Sequence, residues 1–508
     1  MNNREGPHLG QKTFLFAASL ASFGLTAAAA AFAAPHGHGS PLTLSRDSTG
    51  WLGTWSTQGP IDRSGPFFQS LGTNGRSCST CHIPAEAMTF TPAHARALFE
   101  KTHGADPLFT PLDGANCDDV ARADQAGHSL ILQNGLLRIS LPVPANAQFS
   151  ISVVSDPYGC ALRLDPQTHV LTASVYRRPA PATNLTFLSA VMWDARETVA
   201  PLTSESNFAQ SLRTDLTQQA LDATLGHAQA AEPPTQAQLD AIVDFESSLY
   251  TAQLWDDHAG ALDAGGASGG PWKLSIQRYY PGINDSFGQD PQGLAFDPSA
   301  MKLFAPWDRP TRGSPAPIAL QRGVPAARAQ IAAGEELFNS APLTIAGVRG
   351  INDNAALGKP AALKGTCTTC HDAPNVGGHS LPVPLDIGTN HTSNPSFESD
   401  PIVAAAVSEL SMPELPVFLI SGCPDPFNPG QTASFYTTDP GRALITGHCS
   451  DFNRVKGPNL RGLAARAPYF HNGAASSLRE VVNFYNVRFQ MGLTEEQKED
   501  LVAFLNSL

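Results

Sequence analysis

The 508-residue chain carries a formal net charge of −13, with 32 Lys and Arg against 45 Asp and Glu. That balance excludes a nucleic-acid-binding surface and suits, at most, a basic protein partner. A hydrophobic content of 42% excludes disorder and is ample for two or three domain cores. With 43 Gly, 42 Pro and only 15% charged residues, the chain is expected to form long ordered loops around something bound.

In chain order, Arg4 and Lys12 precede an apolar, small-residue run from Phe14 to Ala34 ending in Ala31-Phe32-Ala33, the pattern of a secretory signal. Residues 1–33 are expected to be cleaved, since the alanines and Pro35 make a poor membrane anchor. No later segment has the roughly 18 apolar residues that a span needs. Residues 34–76 read as a Gly-, Ser- and Pro-rich N-terminal extension. Next comes Cys78-Ser-Thr-Cys81-His82, matched later by Cys367-Thr-Thr-Cys370-His371.

This C-x-x-C-H pattern is a c-type haem attachment site. Two thiols reach two vinyl groups on one porphyrin edge, and the next imidazole binds the iron. A redox dithiol or half a zinc site would not call for a His after both pairs. The expected cofactors are two covalently bound haem c groups, with His82 and His371 as proximal ligands.

Between the motifs, Asp106–Phe109 and Asp113–Asn116 are turn clusters, Ser129–Leu141 is apolar, and Phe149–Val154 alternates as a strand. Residues 234–255 are predicted as the strongest helix of this half, with Leu239, Ile242, Val243, Leu249 and Tyr250 near helical spacing. The Gly-rich stretch 260–271 marks a boundary. It separates an N-terminal haem domain (77–270) from an interdomain segment (271–324) and a C-terminal cytochrome c domain (325–508). In the last, Ala326–Phe338 is an amphipathic helix ahead of the second motif. Ser477-x-x-Glu480 and Thr494-x-x-Gln497 are capping boxes opening the final helices. The expected fold is mostly α, two cytochrome c-like domains with long ordered loops and a few short strands. The remaining Cys117, Cys160, Cys423 and Cys449 form two bridges in one of three connectivities, or stay separate buried thiols. The pairing Cys117–Cys160 and Cys423–Cys449 is favoured because each closes a turn-rich loop within one domain.

Three further stretches stand beside the haem motifs: Met192-Trp-Asp-Ala-Arg-Glu197, Lys456-Gly-Pro-Asn-Leu-Arg461 and Ala467-Pro-Tyr-Phe-His-Asn-Gly473. Together they resemble the bacterial dihaem cytochrome c peroxidase family, which includes the MauG-type maturation enzymes. The resemblance covers residues 70–508 and is strongest from 325 onward. It implies a periplasmic enzyme in which the C-terminal haem receives electrons, Trp193 relays them, and the N-terminal haem reduces peroxide. It places His471 at a haem edge and sets Tyr485, with Met491 as competitor, as the second ligand of the C-terminal iron. The choice matters, because a thioether raises an iron's potential and a phenolate favours the ferric state.

The family's acid/base Glu has no counterpart after Gln219-Ala220. His227 is the candidate for that proton transfer and Glu197 the second. Some members carry a displaceable sixth His ligand on the N-terminal haem; His94, His103 and His169 lie in that half, with nothing to single one out. The family's interdomain calcium would find Arg178 in place of an Asn, beside the carbonyls of Arg466 and Pro468, which speaks against calcium here. The implied partners are hydrogen peroxide and a small c-type cytochrome or cupredoxin as donor. No nucleic acid is expected, nor a membrane after signal cleavage, and a homodimer is compatible. Two other functions fit the same motifs: a MauG-like oxidase using high-valent haem on a protein or small molecule, and a non-catalytic dihaem electron carrier.

Overall fold

The computed structural model describes residues 39–200, 207–308, 323–373, 376–377, 383–392, 394, 396–428 and 430–508. The expected signal segment, 1–33, lies outside them. Asp47 turns the chain between the first two strands, Leu42–Arg46 and Gly50–Ser56, by accepting from the N–H groups of Thr49 and Gly50 at 2.8 Å each. The second strand alternates, burying Leu52, Thr54 and Ser56. It pairs with Leu249–Asp256, which in turn pairs with Gly260–Ala261, giving a four-stranded antiparallel sheet.

The single helix expected over 234–255 is therefore two elements. Thr235 and Gln238 close a capping box on the helix Gln236–Ser247, and the chain leaves as the strand Leu249–Asp256. Its Tyr, Thr and Trp suit a pleated surface, and the edge of Gly50–Ser56 satisfies its backbone; this outweighs Leu249 and Tyr250 at helical spacing. The longest described helix of this half is instead Phe208–Gly226.

Three more sheets complete the fold. Leu171–Arg177 lies between Leu137–Pro142 and Leu162–Leu164, and Leu343–Ala346 pairs with Ala362–Gly365. Ser150–Ser155 crosses to the other half, pairing with Val417–Pro424, which also pairs with Thr432–Thr437. With 32% of residues helical and 17% in strands, the fold is not mostly α. The long periodic helices dominate the sequence pattern, while the strands are short runs set between Pro and Gly turns.

In the C-terminal half the helix Val324–Ser340 crosses Glu495–Asn506 at Gly334, where any Cβ would sit 2.0 Å from the Asp500 carbonyl oxygen. Phe304, Phe338, Leu478, Val482 and Phe504 build the core around this crossing. Thr494 and Gln497 close the expected capping box. Ser477 caps its helix, but the Glu480 carboxylate binds Ser411 and Ser476 instead of closing the second box. Cys117 with Cys160, and Cys423 with Cys449, lie at sulfur–sulfur bonding distance, whereas the four motif cysteines are unpaired. The C-terminal Leu508 carbonyl accepts from Gln253 and Gly462, tying the chain end to the N-terminal sheet.

Candidate functional site

Both C-x-x-C-H stretches fold in the same way. Ser77 and Thr366 each cap one tight helical turn, with their N–H groups donating to Thr80 Oγ1 (3.1 Å) and Thr369 Oγ1 (2.9 Å). The next backbone bonds run from His82 to the Cys78 carbonyl (3.0 Å) and from His371 to the Cys367 carbonyl (2.9 Å). One turn thus presents two thiols and an imidazole together. The Ser/Thr at the first and fourth positions of each turn was legible in the sequence as a cap, but the cysteines drew the reading.

Each motif lines its own cavity. One holds Cys78, Cys81 and His82; the other holds Cys367, Cys370 and His371. A covalent haem fits this donor set: the thiols are unpaired, and the Met88 carbonyl holds His82 Nδ1 at 2.9 Å, leaving Nε2 for iron. Burial lowers the pKa of both imidazoles, His371 to about 4, so both are neutral at pH 7, the form that binds a metal.

The two cavities share a wall of Arg178, Pro179, Pro181, Trp193 and Lys456. Trp193 is buried, its Nε1–H donates to the Arg178 carbonyl at 2.8 Å, and its ring lies 6.1 Å from that of His471. The Arg178 N–H donates to the His471 carbonyl at 2.6 Å, so one residue's backbone joins the Trp193 indole to the His471 main chain. Lys456 is anchored to this wall twice, its N–H on the Trp193 carbonyl (2.8 Å) and its Nζ on Ala190 (2.9 Å). Burial pushes Lys456 down to about 8, against the pull of Asp194.

Behind the wall, Arg177 donates through Nε and Nη2 to Asp439 (2.6 and 2.9 Å) and through Nη1 to Asp194 (2.5 Å). Burial alone would raise Asp194, but Arg177 and Arg196 bring it down to about 2. His471 Nε2 lies 3.7 Å from Asp439 and makes no hydrogen bond; burial lowers its pKa to about 4.

No family model matches the chain. Among curated proteins it is 31% identical over 156 residues to the cytochrome-c peroxidase IdrP2 of Denitromonas iodatirespirans, covering 28% of this chain and 36% of that protein. It is 40% identical over 84 residues to the cytochrome c peroxidase Ccp of Escherichia coli (strain K12), covering 16% of this chain and 17% of that one. Over these stretches the chain is similar to bacterial cytochrome c peroxidases. The matched stretches span little more than a third of those peroxidases at most. Among solved structures, a MauG-like protein associated with microbial copper homeostasis is 12% identical over 87% of each chain, with a TM-score of 0.29, at which the likeness carries no argument.

In the structure the candidates read from the sequence separate. His227 lines the N-terminal cavity, its Nδ1 2.5 Å from Asp113 Oδ2. Asp113 is buried, pairs also with Arg76, and is held below the usual carboxylate range by these two partners despite burial. Sequence reasoning passed over Asp113 because it stands in a turn cluster 114 residues from His227. Glu197 is not among the residues lining either cavity; it pairs with Arg196 at 3.6 Å, and burial with nearby Asp222 raises it to about 7. His94 pairs with Glu86, His103 and His169 are exposed, and none of the three lines a cavity.

Tyr485 and Met491 both line the C-terminal cavity, and the Tyr485 ring lies 6.5 Å from that of His371. Glu246, which the sequence did not single out, faces the N-terminal cavity near Cys78. One of its carboxyl oxygens has no partner, and burial raises it to about 8, so it holds a proton at pH 7.

Proposed function

We propose that this chain is a periplasmic dihaem oxidoreductase that reduces hydrogen peroxide with electrons from a small c-type cytochrome or cupredoxin. The observation that carries the reading is the wall common to two cavities that each contain a complete C-x-x-C-H turn. Cys78 and Cys81 would hold one haem and Cys367 and Cys370 the other, with His82 and His371 as proximal ligands. When bound, the N-terminal haem supplies the iron at which the O–O bond is cleaved and the C-terminal haem supplies stored electrons. The residues of the chain do the rest. His227, its Nδ1–H held by Asp113, offers Nε2 to the cavity as the group that takes a proton from one peroxide oxygen and returns it to the other. Glu246 stands as a second proton store. Trp193 and His471, fixed by the Arg178 backbone, form the aromatic path between the cavities. No helix among the described residues is long and apolar enough to cross a membrane.

The decisive experiment is steady-state turnover of peroxide with a reduced small cytochrome, starting from fully oxidised and from half-reduced protein, alongside an intact mass for haem count. Turnover with two attached haems supports the proposal; no turnover from either starting state rejects it. One observation favours the MauG-like alternative, the placement of the Tyr485 phenol in the second cavity beside His371. Two low-spin haems inert to peroxide would instead leave an electron carrier.

A further inference from the structure

At the seam between the cavities the Arg178 side chain is buried, and its guanidinium points into a ring of backbone carbonyls. Nη1 donates to Gly135 (3.1 Å) and more weakly to Asn134 (3.5 Å), and Nη2 donates to Arg466 (3.2 Å). The acceptors come from both halves of the chain. Among the described residues no carboxylate lies within ion-pair distance of Arg178. The site is shaped for this side chain: Gly135 has φ of +63°, and a Cβ there would lie 1.8 Å from Nη1.

The interdomain calcium that the family resemblance implies does not fit here. Calcium takes six to eight oxygen ligands, carboxylates prominent among them. The Arg466 carbonyl, one of its implied ligands, already accepts from Arg178, and a divalent ion would meet the Arg178 charge directly.

We infer that the Arg178 guanidinium is a fixed cation of the interdomain seam, standing where the related enzymes would hold calcium, and that this protein keeps its structure without that metal. The residue's backbone also accepts from the Trp193 indole and donates to the His471 backbone carbonyl, so the cation is hydrogen-bonded directly to both residues of the aromatic path. The guanidinium supplies one positive charge next to both cavities, which favours adding an electron to either haem.

The metal arm of the test uses purified holoprotein equilibrated with calcium and then dialysed with or without EGTA. Elemental analysis is expected to find substoichiometric calcium, and the melting temperature to be the same with EGTA and with added calcium. One retained calcium per chain, or a melting temperature that EGTA lowers, overturns the inference. The charge arm compares haem midpoint potentials. Arg178→Lys is expected to stay close to wild type and Arg178→Met to shift at least one haem to lower potential. Unchanged potentials in Arg178→Met overturn the charge role; if that variant does not accumulate folded, the wild-type metal measurement decides. Both readouts are independent of peroxide turnover, so a failure of the proposed activity would be seen separately.

Discussion

Asp439→Asn tests whether the Arg177 network holds the seam together. Arg177 is 2% exposed and has two carboxylate partners, the bidentate Asp439 and the single contact to Asp194, which Arg196 shares. A hydrogen bond to a charged group contributes ~1.5–3 kcal/mol. Asn keeps one acceptor oxygen but removes the charge, and Asp194 is already committed. The buried guanidinium is then left under-compensated, for which the expected loss is about 3–5 kcal/mol. Denaturant unfolding of the holoprotein at pH 7 measures it as a lower midpoint with an unchanged slope. A single variant within about 1 kcal/mol of wild type would refute the argument, because a buried pair would then be behaving like an exposed one.

His227→Ala is expected to slow peroxide turnover by about a hundredfold or more, and unchanged turnover removes it from the proton path. Tyr485→Phe is expected to alter the spectrum of the C-terminal haem and Met491→Ala to leave it; the reverse result transfers the ligand role to Met491. His391, 19% exposed, lies between Asp386 (3.5 Å) and Glu398, whose carboxylates raise it to about 9 against the effect of burial. Its folded pKa is above the unfolded 6.5, so its contribution is full below pH 6.5 and is lost as pH rises through 9. The size is on the order of 3 kcal/mol. Unfolding midpoints at pH 6 and pH 9 should therefore differ more in wild type than in His391→Gln; parallel pH profiles would count against the assignment.

The two C-x-x-C-H turns and the terminal helices were legible because their information is local. A C-x-x-C-H turn closes within five residues, and Thr494 reaches Gln497 within one helical turn. The strands were legible only in part. Phe149–Val154 alternates cleanly and is offset by one residue from the observed Ser150–Ser155, but Leu249–Asp256 carries a helical pattern at its start and becomes a strand because Gly50–Ser56 offers an edge. The candidate site divides in the same way. His227 could be named from its neighbourhood, whereas Asp113, Asp439 and the Arg178 carbonyl ring depend on contacts across 114, 262 and up to 288 residues. Glu246 has no sequence signature, since its proton affinity arises from burial alone.

The hydrogen-bonded ladder between Ser150–Ser155 and Val417–Pro424 constrains how the chain can be made. A ribosome finishes the first of these segments long before the second exists, and among the described residues Ser150–Ser155 has no other strand partner, so its ladder groups stay unpaired until then. Such edges template aggregation. Cutting the gene between the two haem motifs would leave each fragment with the same hazard, so the two halves are one unit for folding and for inheritance.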